Sequence, residues 1–89
     1  MIDRELQRRL EQLQEELRRV GAPDEEEREI LRSLSEEIDA LLSRDERHEQ
    51  QYRGLAGRLR DAAAKLEASH PRATLLMRGV IDSLAYLGV

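Results

Sequence analysis

The sequence predicts an all-α protein, a small helical bundle or coiled-coil-like hairpin of three to four helices, and three observations carry that expectation. Charged residues make up 38% of the 89-residue chain, against about 25% in an average globular domain. Aromatic residues make up 2%, with no Phe or Trp, and only three Val, four Ile and one Thr are present, too few to furnish the half-buried pleat of a sandwich or barrel. The commonest residues are 15 Leu, 14 Arg, 13 Glu and 9 Ala, all good helix formers. A chain of this length builds one modest core, so a single domain over residues 1–89 is expected.

The first helix is expected over about residues 2–20. Leu6, Leu10, Leu13, Leu17 and Val20 succeed one another at spacings of four, three, four and three, which lines them up on one narrow stripe. Such a stripe reads as a seam for a neighbouring helix, too thin to roof a globular core alone. Gly21 follows the last seam residue and reads as a left-handed helix stop, with Ala22-Pro23 beyond it.

The second helix is expected over 24–42, opened by Pro23 or Asp24. Its first turn, Asp24-Glu25-Glu26-Glu27, sets four carboxylates where the helix dipole favours negative charge. Ile30, Leu31, Leu34, Ile38, Leu41 and Leu42 form a wider apolar set. Residues 43–50 are polar throughout and contain a potential capping box, Ser43 with Glu46. A break there is the favoured reading. The alternative is one continuous helix from about Asp24 to Ala68, because Tyr52, Leu55, Leu59, Ala62 and Leu66 stay in heptad phase with the apolar set before them.

The third helix, about 51–69, carries an Ala-rich face suited to close packing, with Gly54 and Gly57 as candidate contact or hinge points. His70-Pro71 ends it, because the residue before proline is pushed out of the helical region. Pro71 then starts a last helix over 71–87, capped by Ser69 or His70. Ala73, Leu76, Met77, Val80, Ile81, Leu84 and Leu87 cover one broad face of it, while Leu75 and Tyr86 lie on the other side with Gly79 between them.

From these residues onward the chain resembles a family of short bacterial proteins known only as a domain of unknown function. The resemblance lies in His70-Pro71-Arg72-Ala73-Thr74 ahead of the last helix, in Asp82-Ser83-Leu84-Ala85, and in the Leu-rich opening and acidic second helix. It covers nearly the whole chain and implies a small helical bacterial protein with no activity to transfer. Ala73 departs from it, standing where a larger apolar residue is expected.

Composition also narrows function. With no cysteine, disulfides and thiolate chemistry are out, and a reducing, cytoplasmic setting fits. The opening Met1-Ile2-Asp3-Arg4-Glu5 lacks a signal peptide's basic and apolar regions, and the most apolar stretch, from Leu75 to Val89, is interrupted by Arg78 and Asp82, so no membrane partner is expected. Residues 1–20 are net neutral, 21–51 carry −7 and 52–89 carry +3, which favours packing the last third on the middle third. Arginines diluted by glutamates, with no stacking aromatics, argue against nucleic acid.

The sequence therefore points to a non-catalytic interaction or scaffolding protein without a cofactor. It is expected to self-associate, as a dimer, through the seam Leu6, Leu10, Leu13, Leu17 and Val20 and the patch Leu75 and Tyr86, with an unidentified protein partner also conceivable. The competing class is a metal-binding or enzymatic bundle. It would use His48 and His70, each three residues after a carboxylate (Asp45, Glu67), at the spacing that di-iron bundles place on one helix face. The cluster Glu36, Glu37 and Asp39 could serve acid–base work if one member were buried; pairing with Arg28 and Arg32 at helical spacing explains it more cheaply.

Overall fold

The computed structural model describes residues 3–22, 24–43 and 49–88. Over them the chain forms four helices, α1 (Arg4–Arg19), α2 (Glu25–Leu42), α3 (Glu49–Leu66) and α4 (Pro71–Tyr86).

The starts of α1, α2 and α4 follow from local chemistry. Orphan N–H groups open every helix, and short polar side chains satisfy them. Asp3 accepts from the Leu6 N–H at 3.1 Å and Asp24 from the Glu27 N–H at 3.0 Å. Glu5 lies in the first turn of α1 and Arg18 and Arg19 in its last, both matching the dipole. At α4, Pro71 stands in the first turn, where its missing N–H costs nothing. Thr74 Oγ1 donates back to the His70 carbonyl at 2.5 Å.

The stops differ from the sequence expectation. α1 ends in Val20, whose extended backbone (φ −69°, ψ 131°) turns the chain while its N–H still bonds the Glu16 carbonyl. Gly21 is not left-handed; among the described residues only Gly88 has a positive φ, +81°. Ser43 does not serve as a start in what is described of it: it terminates α2, its hydroxyl donating to the Asp39 and Ala40 carbonyls at 3.0 and 3.2 Å. The capping-box partner Glu46 lies outside the described residues. α3 ends at Leu66, three residues short of the expected end, and Leu87 is the cap of α4 rather than part of its buried face.

The helices form a ring. α1 packs on α2 and α4, α3 packs on α4 and α2, and the diagonal pairs do not approach. Neighbours run in opposite directions: Arg9 reaches the Gly79 carbonyl while Arg72 reaches Glu16, and Glu37 meets Arg58 while Glu27 meets Ser69. The reversal between α2 and α3 overturns the continuous-helix alternative. A helix over 24–68 would extend about 65–70 Å, and the longest dimension here is 37 Å. The radius of gyration, 12.2 Å, equals the roughly 12 Å expected of a globular chain this long, so the bundle and not the extended hairpin is realised.

All four helices feed one core. Leu10, Leu13, Ile38, Leu55, Leu59, Leu66, Met77 and Leu84 have no exposed surface, and burial of each large apolar side chain contributes about 1.5–3 kcal/mol. Ala56, Ala62, Ala63 and Ala73 fill the closer approaches. At Ala73 a larger residue was expected from the family resemblance; here the alanine is 1% exposed and part of the core.

Candidate interaction surface

The row on α1 faces inward. Leu6, Leu10, Leu13 and Leu17 are buried, and Val20 packs partly buried against the same core. The sequence expected this row to require a second chain; α2 and α4 of the same chain cover it instead. It is widened by polar residues that a hydrophobicity pattern does not register. Gln14 is buried, donating to the Ser35 carbonyl at 3.1 Å and to Asp39 at 3.4 Å while accepting from the Ser35 hydroxyl at 3.0 Å. Glu16 is buried beneath Arg72, whose Nε donates to it at 3.2 Å. Buried polar groups are tolerated because each finds a partner.

The other half of the expected seam is on the outside. Leu75 is 69% exposed, Tyr86 90% and Leu87 38%. Leu75 and Tyr86 are eleven residues apart, about 20° in azimuth on an ideal helix, so both point away from the bundle along one stripe. Gly79 is not bare between them: the Arg9 guanidinium lies over it and donates to its carbonyl at 2.6 Å. Asp82, exposed on the same stripe, has no ion pair among the described residues.

Of the residues in the competing reading, the two described ones, Glu67 and His70, turn to different partners. Glu67 turns to Arg78 at 3.2 Å. His70 sits at the N-cap position of α4 without capping it; its Nε2 meets Glu27 Oε1 at 3.1 Å, and Ser69 Oγ donates to Glu27 Oε2 at 3.0 Å. Asp45 and His48 lie outside the described residues. No group of three or more His, Asp or Glu that could hold a metal ion occurs among the described residues.

Glu36 takes the helical-spacing partner Arg32 at 3.9 Å, as expected. Glu37 and Asp39 instead reach other helices, to Arg58 on α3 and to Gln14 and Arg18 on α1, the last at 3.7 Å. Hydrogen bonds from Arg8 and Arg9 hold the Glu5 carboxyl below the usual carboxylate range, and Arg32 does the same to Glu29.

Between α2 and α3, the most sparsely joined pair, runs an open groove floored by Ile30, Leu34 and Ala62 and rimmed by Glu29, Asp61 and Lys65.

A family model described as a domain of unknown function (DUF4404) matches residues 6–89. The chain belongs to the DUF4404 family. Among curated proteins and solved structures, none matches it. The DUF4404 match spans all four helices, from the first buried leucine of α1 to beyond the exposed end of α4. No described helix is long and apolar enough to cross a membrane.

Proposed function

We propose that this DUF4404 protein is a non-catalytic helical interaction or scaffolding protein of the bacterial cytoplasm, and that its contact surface is the outer face of α4, where it pairs with a second copy. The observation that carries the reading is the exposure of Leu75 and Tyr86 on one stripe, where among the described residues the other large apolar side chains are buried or partly buried, apart from Leu87 at the end of α4. Scattered single exposed hydrophobes are ordinary; two on the same outward line of one helix, about 16 Å apart, offer a partner helix two apolar anchors on one face. A domain this small gains stability from association when it has no disulfide to supply it. The cysteine-free composition supports a reducing compartment.

A surface one helix wide lies below the roughly 1,200 Å² of stable complexes, so the dimer is a weak one. Light scattering on the wild-type protein should give a mass approaching twice 10.3 kDa as the concentration rises into the high micromolar range. The double variant Leu75→Ser, Tyr86→Ser should hold the single-chain mass with an unchanged helical spectrum. A wild-type mass that stays at one chain throughout would overturn the reading.

A further inference from the structure

Resting on that pairing through α4, we infer its geometry: the two α4 helices lie antiparallel across a two-fold axis between Val80 and Ile81, so that Leu75 packs on the partner's Tyr86 and Arg78 faces the partner's Asp82. The outward stripe of α4 reads Leu75, Arg78, Asp82, Tyr86, apolar at both ends with one basic and one acidic residue between. All four lie within about 80° on an ideal helix, and all four are exposed.

That order is its own complement only when reversed. In a parallel pair, Arg78 would face the partner's Arg78 and Asp82 the partner's Asp82, two like-charge contacts. The dyad that brings Leu75 to the partner's Tyr86 also brings Arg78 within one residue's rise of the partner's Asp82, twice, as a closed isologous interface requires. It sets the partner's Asp82 over Gly79, the one position on the stripe with no side chain. The Arg9 guanidinium that bonds the Gly79 carbonyl lies there, so the incoming carboxylate meets Arg9 on one side and Arg78 on the other. Both arginines already hold one carboxylate, Glu5 at 2.8 Å and Glu67 at 3.2 Å. Five N–H donors per guanidinium leave each able to take a second. Asp82 has no ion pair within its own chain among the described residues, which leaves it available. Exposed charges of this kind set orientation more than affinity.

The chain has no cysteine, so single introduced thiols report proximity cleanly. Under mild oxidation, a mixture of the Leu75→Cys and Tyr86→Cys variants should form the mixed disulfide dimer. Leu75→Cys alone should not, since the two Leu75 positions stand about 16 Å apart along the helices, beyond the roughly 7 Å limit between Cα atoms. In parallel, Arg78→Glu and Asp82→Arg should each weaken the dimer roughly fivefold, and the double variant R78E/D82R should recover the wild-type dissociation constant. Single variants that tighten the dimer, a double variant that recovers nothing, or efficient cross-linking of Leu75→Cys to itself would overturn the antiparallel geometry while leaving the α4 dimer standing. A wild-type protein that scatters as one chain would remove both.

Discussion

At the start of α4 the expected cap is present in place but not in role. His70 has the N-cap position, yet its ring turns across to Glu27 on α2, and Ser69 joins the same carboxylate. One acid from the first turn of α2 thereby ties down the turn between α3 and α4. The acid-rich opening of α2 was legible as a helix start; that one of its carboxylates also bridges to residue 70 was not, because the two are 43 positions apart and no local pattern joins them. The bridge is partly shielded, the side chains of His70 and Glu27 being 10% and 23% exposed, so its loss is felt. His70→Ala should lower unfolding free energy by about 1–3 kcal/mol, the cost of leaving a shielded partner unmet. Glu27→Gln, which keeps an acceptor oxygen, should cost less. Combining the two should show a non-additivity above about 0.5 kcal/mol in urea titrations at neutral pH. An additive pair would mean that the contact does not couple the two elements.

Among the elements, starts marked by a capping acid or a proline were readable, and the stops were not. Asp24 and Pro71 mark the starts of α2 and α4 by chemistry that acts locally. Ser43 is ambiguous in sequence because the same hydroxyl that can cap a start can bond backward to the carbonyls of a finishing turn, and here it takes Asp39 and Ala40. Leu87 fits the apolar period of α4, but the helix ends one residue before it. In α3 the two glycines read as contact points, and the structure gives them no such duty. A Cβ on Gly57 meets nothing within 4 Å, and one on Gly54 meets only the end of the Arg58 side chain at 3.5 Å. Neither has a positive φ. Gly54→Ala and Gly57→Ala should therefore each stabilise by about 0.5–1 kcal/mol through lost unfolded-state freedom and better helix propensity. That corresponds to a rise of several degrees in melting temperature for the pair. A fall in either variant would show that α3 approaches a neighbour closely at these positions.

For the whole molecule, the width of a leucine stripe bears on whether that row is covered from within the chain or by a second copy. Judged alone, Leu6, Leu10, Leu13 and Leu17 are too narrow a row to shelter a core, which is why the sequence points to a second chain for this row. In a ring of four antiparallel helices each element supplies only one corner of the interior, so four narrow rows converge and cover one another. The same geometry leaves much of every helix in water, which accommodates a charged fraction of 38%. Which helices would close the ring depends on contacts far apart in sequence, Arg9 with Gly79 and Glu16 with Arg72 among them, and periodicity holds no record of these. If the row belongs to the interior of one chain, Leu13→Ala, at a side chain with no exposed surface, opens a cavity costing about 2–5 kcal/mol. That is a large part of the roughly 5–15 kcal/mol that holds a domain folded. The loss should be the same in the Leu75→Ser, Tyr86→Ser background as in the wild type, because the two sites share no partner. If the row lay between chains, the Leu13→Ala protein would instead regain its melting temperature as concentration rises, through mass action on the dimer. Thermal melts of both backgrounds at two protein concentrations distinguish a core residue from an interface residue at this position.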